Sequence, residues 1–178
     1  CRSGAPIARR GRTPPLPAAP ARTSFVAGEA RADVVIAGGG PVGLVLALEL
    51  GRRGVPCIVL NDRPTTAEHP KANAIGARTM EHFRRLGVAA PIRASGLDDD
   101  HPTDVAYFTR LTGIELARLR LPSRTEALRQ ARAGQGPWAN SPEPPHRCSQ
   151  IFLERELFAR CTAFPSIELR FGWRLEMF

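Results

Sequence analysis

Three glycines, Gly38, Gly40 and Gly43, close a short apolar run and open a segment rich in leucine and alanine. A strand, a tight turn and a helix in this order place the first helical amides, beside Pro41 and Val42, where they can bind an anion. The first glycine allows the sharp turn, the second a close approach to phosphate, and the third close packing of helix on strand. The spacing therefore predicts a dinucleotide pyrophosphate site, and a dinucleotide implies redox chemistry.

A second apolar run, residues 55–60, follows the predicted helix. Strand, helix and strand within about thirty residues predict a βαβ unit with parallel pairing. An acidic residue normally ends the second strand and holds a ribose hydroxyl. Asn61 occupies that place, and its amide oxygen can still accept a hydrogen bond. Asp62 is the alternative, although a strand would point it the other way, and Arg63 follows it.

The net charge of +8 is concentrated near the amino terminus of the 178-residue chain. Five arginines precede the first acidic residue, Glu29, and the remainder holds 20 basic against 17 acidic residues. Residues 1–30, rich in Ala, Pro and Arg, are predicted to be a disordered leader, and residues 31–178 to form the folded part. Basic and aromatic residues do not interleave, so no nucleic-acid partner is expected. No run is apolar enough for a membrane span, and the dispersed cysteines and histidines predict no metal site.

The loop after the second strand leads to two basic residues, Lys71 and Arg78, which return towards the nucleotide site. Each is open to two interpretations, a phosphate contact or a solvated surface position. Arg78 lies at the start of a helix predicted over residues 77–86. Its core-facing residues are expected to be Met80, Phe83 and Leu86.

The second half of the chain contains one hairpin pattern and one further helix pattern. Residues 103–121 are typical of a β-hairpin that turns around Gly113. Its alternating apolar residues predict one buried face, made by Ile114, Leu116, Leu119 and Leu121. Ser149 can cap a helix whose first turn holds Gln150. The core residues expected of that helix are Ile151, Phe152, Leu157 and Phe158, and a short strand is expected at residues 167–172.

Taken together, these motifs resemble one family, the FAD-dependent aromatic hydroxylases of the para-hydroxybenzoate and phenol hydroxylase type. The resemblance runs from about residue 32 to the end and rests on four segments: the glycine turn, His69-Pro-Lys-Ala-Asn73, residues 77–87 and residues 103–113. It implies an α/β fold: a Rossmann-like βαβ FAD-binding fold with the start of a β-rich substrate domain, incomplete within this chain.

The resemblance also implies a role for individual residues. Gly38, Gly40 and Gly43 would shape the FAD pyrophosphate turn. Asn61 stands where the family usually has a ribose-binding glutamate. Lys71 stands where a basic residue, commonly arginine, approaches FAD, and lysine keeps the charge without the bidentate fork. The remaining two predicted contacts are Arg78, which is less diagnostic, and Gln150, which matches a glutamine on the flavin side.

The implied reaction is hydroxylation of a phenolic substrate. NADPH or NADH would reduce FAD, and O2 would then form a flavin C4a-hydroperoxide that delivers the hydroxyl group. The flavin does this chemistry, so no catalytic residue is predicted. The family completes its site with a downstream Gly-Asp-Ala segment, so the chain is expected to be an N-terminal portion of the enzyme that is inactive alone. A cytoplasmic location is also expected. Two alternatives stay open: another FAD- or NAD-dependent oxidoreductase, and an inactive nucleotide-binding remnant.

Overall fold

The computed structural model describes residues 32–69 and 71–177, so the leader predicted over residues 1–30 lies outside the described residues. The elements in chain order are β1 (Val34–Ala37), α1 (Pro41–Gly51), β2 (Cys57–Asn61), β3 (Ala74–Ile75), α2 (Ala77–Leu86), α3 (Ala89–Ser95), β4 (Val105–Phe108), β5 (Glu115–Leu119), α4 (Arg124–Arg132), β6 (His146–Arg147), α5 (Gln150–Cys161) and β7 (Ile167–Phe171).

A three-stranded parallel sheet in the order β1–β2–β7 positions the glycine turn. Residues of β1 pair with β2 from Val34 opposite Cys57 to Ala37 opposite Leu60. Helix α1 connects these two strands, so the predicted βαβ unit is confirmed. Because β2 is central, Cys57 and Val59 are almost completely buried. The prediction of a parallel α/β sheet therefore holds.

The sheet is covered by α1 and α5, which pack against each other in the main hydrophobic core. Leu44 and Leu48 of α1 and Leu157 and Cys161 of α5 are each at most 1% exposed. The Cys161 thiol also donates to the Leu44 carbonyl oxygen at 3.5 Å. This packing fixes the start of α1 relative to the end of α5.

Helix α2 buries the stripe that its sequence predicts. Met80, Phe83 and Leu86 are 0%, 2% and 3% exposed. The helix ends at Gly87, whose φ of 75° is in the left-handed region. Strand β3, which directly precedes α2 in the chain, pairs antiparallel with β6. This pairing holds residues 74–75 against residues 146–147.

Helices α3 and α4 were not among the predicted elements. The first residues of α4 nevertheless carry a capping signal, because the Ser123 hydroxyl accepts a hydrogen bond from the Glu126 amide at 3.2 Å. Serine followed three residues later by glutamate is a typical helix start.

The hairpin is present, but the prediction of its buried face is wrong. Strand β4 pairs antiparallel with β5, with an irregularity between Tyr107 and Phe108. Ile114, Leu116 and Leu119 are 74%, 67% and 57% exposed, and of the four predicted residues Leu121, beyond β5, is half-buried. Alternation creates an apolar face, but within the described residues no second layer covers this two-stranded sheet.

The start of α5 differs from the prediction in two details. Ser149 is the N-cap residue, but its hydroxyl makes no capping bond, and its main-chain oxygen accepts from Phe152 and Leu153 instead. Phe152, expected in the core, is 39% exposed, whereas Leu153 is 8% exposed. The buried stripe runs through Leu153 and Leu157, four residues apart, so Phe152 falls on the outer side.

Candidate functional site

The glycine turn between β1 and α1 is held in one conformation by its own backbone. Gly38 has a φ of 113°, which side chains other than glycine rarely allow. Its amide donates to the Leu60 carbonyl oxygen at 2.7 Å, which anchors the turn on β2. A Cβ added at Gly43 would overlap the Gly38 carbonyl oxygen. These two glycines are therefore required by the turn itself.

Gly40 is different, because its missing side chain leaves space open. It is the N-cap of α1, with extended backbone angles, φ −78° and ψ −174°. A Cβ added there would meet nothing within 4 Å. Within the part of the chain that the structure describes, no atom fills this position, and the open space suits a ligand that approaches the main chain closely.

The first turn of α1 offers main-chain donors at the same point. Within residues 32–69 and 71–177 no side chain caps the helix, its first turn holds no acidic residue, and Pro41 occupies the first position. The amides of Val42 and Gly43 lie in the turn where a helix has no acceptors of its own. Val42 is 83% exposed. Bare amides at the positive end of a helix dipole fit the pyrophosphate of a dinucleotide such as FAD.

Asn61 uses its side chain within the protein to support the glycine turn. Its Oδ1 accepts a hydrogen bond from the Gly39 amide at 3.2 Å, and its Nδ2 donates to the Arg63 carbonyl oxygen at 3.1 Å. A Cβ at Gly39 would lie 2.9 Å from the Asn61 Cβ and 2.6 Å from Phe171 Cζ. Gly39 is therefore a turn residue that the three-glycine motif did not single out, although the run of three glycines carried the signal.

The charged residues predicted near the nucleotide are exposed. Asp62, Arg63 and Lys71 all lie on the surface. The guanidinium of Arg78 pairs with Glu81 of its own helix at 2.9 Å, and its side chain is 83% exposed. The main chain places Lys71 next to the cleft described below, whereas the Arg78 side chain forms a local ion pair.

A cleft of about 810 Å³ begins at the glycine turn and brings several predicted residues together. Pro41, Val42 and Gln150 line it, together with residues 72–75. The wall is mostly apolar, and its remaining residues are Val45, Leu46, Glu49, Leu50, Arg53, Thr79, His82, Phe83, Arg85, Cys148 and Leu153. The other predicted site residues are outside this lining: Gly38, Gly40, Gly43, Asn61, Asp62, Arg63, Lys71 and Arg78.

Gln150 is held in the cleft by hydrogen bonds to two neighbours, one of which is itself held by a third residue. Its main-chain amide donates to the Ala72 carbonyl oxygen at 2.8 Å, which joins it to the segment after Lys71. Its side-chain Nε2 donates to Glu154 Oε1 at 2.6 Å. Glu154 Oε2 in turn accepts from the Ala67 amide at 2.7 Å. The sequence prediction did not include Glu154, although glutamine and glutamate four residues apart on one helix are neighbours.

The ionisable groups of the cleft favour binding over nucleophilic chemistry. Burial raises the pKa of the Cys148 thiol to about 11, so little thiolate forms at neutral pH. At the far end, a hydrogen bond from Arg53 lowers the pKa of Glu49, and Arg85 pairs with the same carboxylate. Neither group has the perturbation expected of a general acid or base at neutral pH.

The sequence of this chain is similar to those of known proteins. The model of the FAD binding domain family matches residues 31–178. The FAD-dependent monooxygenase apdD of Emericella nidulans is 33% identical over 144 residues, covering 80% of this chain and 23% of that protein. Pentachlorophenol 4-monooxygenase of Sphingobium chlorophenolicum is 43% identical over 68 residues, covering 38% of this chain and 13% of that protein.

Among solved structures, the rebeccamycin biosynthetic enzyme RebC with reduced flavin superimposes with a TM-score of 0.69 and 38% identity. The match covers 83% of this chain and 26% of RebC. The chain thus spans about a quarter of the length of these relatives. Across residues 32–69 and 71–177, none of the helices has both the length and the apolar character of a membrane span.

Proposed function

Because the chain belongs to the FAD binding domain family of flavin-dependent monooxygenases, we propose that it forms the dinucleotide-binding part of an FAD-dependent aromatic hydroxylase. The observation that carries this proposal is the open space at Gly40, in front of uncapped amides at the start of α1. Gly43 packs against the Gly38 carbonyl oxygen, whereas a Cβ at Gly40 would meet no described atom within 4 Å, which leaves room for a ligand beside the main chain.

Different residues of the chain would contact different parts of the cofactor. Asn61, with Asp62 and Arg63 beyond it, lies at the end of β2 where an adenosine ribose is bound in such folds. The amides of Val42 and Gly43 would hold the pyrophosphate, and the Lys71 ammonium would add a positive charge beside it. Gln150 would contact the flavin side across the cleft. For Arg78, the local ion pair with Glu81 favours a surface role over a phosphate contact.

Bound FAD would supply the activation of oxygen, which no amino-acid side chain provides. The apolar walls of the cleft would keep water from the cofactor. NADPH or NADH would be the reductant, and a phenolic or other aromatic compound the substrate, together with O2. The relative that acts on pentachlorophenol supports an aromatic substrate. A cytoplasmic location is part of the proposal, and the buried free thiols of Cys57, Cys148 and Cys161 agree with a reducing compartment.

The test is a titration of the chain with FAD, in which binding is monitored by the quenching of flavin fluorescence. Gly40→Ala should weaken binding by more than about tenfold, because its Cβ enters the phosphate space. The matched control is Gly76→Ala. Gly76 also caps a helix without a side-chain bond, has φ −70° and ψ 160°, and has nothing within 4 Å of an added Cβ. Any cost of alanine at an N-cap is therefore shared by both variants.

Circular dichroism should show both variants folded. Saturable binding by the parent chain and by Gly76→Ala, with loss in Gly40→Ala, supports the proposal. Equal affinity in all three proteins, or no saturable binding by the parent chain, would overturn it. Substrate-dependent NAD(P)H oxidation by a longer protein that contains this chain would separate a hydroxylase from a non-catalytic nucleotide binder.

A further inference from the structure

A buried carboxylate lies directly behind the cleft. Glu154 is 4% exposed, although glutamate is rarely buried without partners. Both of its oxygens accept short hydrogen bonds from neutral N–H groups, Oε1 from Gln150 Nε2 at 2.6 Å and Oε2 from the Ala67 amide at 2.7 Å. These bonds offset the cost of removing the carboxylate from water.

The two bonds join the loop after β2 to the start of α5. Ala67 belongs to the loop that follows β2 and Asn61, on the side proposed for adenosine. Gln150 begins α5 and lines the cleft on the side proposed for the flavin. Thr66 and Ala67 are both only 7% exposed, so this loop segment is packed inside the protein. Glu154 therefore fixes the loop and the glutamine relative to each other.

The chemistry of Glu154 also sets which end of the Gln150 amide faces the cleft. A carboxylate only accepts hydrogen bonds, whereas an amide can donate through nitrogen or accept through oxygen. The Gln150 nitrogen must therefore turn to Glu154, and its Oε1 is left for a partner in the cleft. A ligand group opposite Oε1 must be a donor, such as a hydroxyl or an N–H, and phosphate oxygens do not satisfy it.

We propose that Glu154 is a positioning residue, which holds the Gln150 amide so that its oxygen accepts a hydrogen bond from a hydroxyl or N–H group of FAD. This inference rests on the proposed function, since it takes FAD as the ligand. The contact lies with the flavin and ribityl portion, which carries such donors, and not with the pyrophosphate.

The test is a double-mutant cycle on FAD affinity, using the 178-residue chain. Glu154→Gln keeps the shape, but the Ala67 amide takes its one oxygen, so its nitrogen faces Gln150 and the polarity of the Gln150 amide is reversed. We expect it to weaken FAD binding by about threefold to tenfold, the effect of one hydrogen bond. Gln150→Leu removes the acceptor and should cost the same factor. The double variant should bind no more weakly than Gln150→Leu alone, because Glu154 acts through Gln150.

The matched control is Glu156→Gln on the same helix. Glu156 Oε1 accepts from the Ser95 hydroxyl at 2.7 Å and does not contact Gln150. This variant loses the same charge and should keep the parent affinity. Melting temperatures of all variants, measured without FAD, separate any loss of stability from loss of binding. Gln150→Leu leaves the bond between Glu154 and Ala67 intact, so it tests the ligand contact of Gln150 even if Glu154→Gln folds poorly.

The outcomes distinguish the inference from the proposed function. Losses that do not add, with an unaffected Glu156→Gln, support the inference. FAD affinity unchanged in Glu154→Gln and Gln150→Leu, or fully additive losses, overturns it and leaves the proposed function standing. If the parent chain does not bind FAD, the proposed function fails and the ligand contact assigned to Gln150 fails with it.

Discussion

Strands β2 and β5 are both five residues long, yet they bury very different amounts of side chain. In β2, Cys57, Ile58 and Val59 are all buried between neighbouring strands and covering helices. In β5, every residue is exposed. The parallel sheet is thus packed on both sides of β2, whereas β5 of the hairpin is exposed along its whole length.

The candidate site is held in place by the packed parallel sheet and its helices. The glycine turn is anchored on β2 through Gly38 and Asn61, and α1 is locked to α5 by Leu44 and Leu157. The hairpin, which resembles the start of a substrate domain, contributes no residue to the cleft. In this chain, the features that suit a dinucleotide are therefore independent of the hairpin.

The largest contrast is expected from the same substitution made in both regions. Leu157→Ala should destabilise the fold by about 2–5 kcal/mol, because it opens a cavity in the core where Leu157 is 0% exposed. Leu116→Ala in the hairpin should change stability by less than about 0.5 kcal/mol, because that side chain is 67% exposed. Urea denaturation followed by circular dichroism measures both. Similar losses at the two positions would show that the hairpin is packed.

A smaller effect, of about 1–3 kcal/mol, is expected from Gly43→Ala. The added Cβ would overlap the Gly38 carbonyl oxygen, so the turn and α1 must shift apart. Urea denaturation should show the loss, whereas Gly40→Ala should stay close to the parent stability. A Gly43→Ala variant as stable as Gly40→Ala would contradict the close approach of helix and strand.

The smallest effect is a pH dependence confined to the packed region. Burial and then the nearby Arg93 lower the pKa of His146, with Arg124 acting the same way and Asp99 opposing it. The unfolded chain therefore binds a proton at a higher pH than the folded chain, so stability should fall as pH drops below about 6.5. Melting temperature should decline by a few degrees between pH 7 and pH 5.5, and less so in His146→Gln.

Exposed His69 provides the control for this pH dependence. A His69→Gln variant should keep the full decline of the parent chain. If His146→Gln declines as steeply as the parent, His146 does not carry the effect.

The sequence was sufficient for features that depend on neighbouring residues. The glycine spacing predicted the βαβ unit, and the apolar spacing of Met80, Phe83 and Leu86 predicted the core face of α2. Burial of the hairpin could not be predicted, because alternation shows that a face is apolar but not that anything covers it. Strand pairing across long separations was equally hidden, since β2 meets β7 more than a hundred residues later.

In the candidate site, too, the sequence predicts the local features and not the contacts between distant residues. Gly38 and Gly43 are explained by the local turn, and Gln150 was found by resemblance and lines the cleft. The hydrogen bond that the Ala67 amide donates to Glu154 joins residues 87 positions apart, so no local sequence pattern predicts it. Asn61 was expected to face the ribose, and only the folded chain shows that its oxygen also accepts the Gly39 amide.

The most direct test of the account is amide NMR of the chain during titration with FAD. We expect the largest shift changes at the amides of Val42 and Gly43 and around Gln150, with amides of the hairpin, residues 105–119, unchanged. Changes confined to the hairpin, or none at the glycine turn at saturating FAD, would contradict the claim that the first turn of α1 binds the dinucleotide.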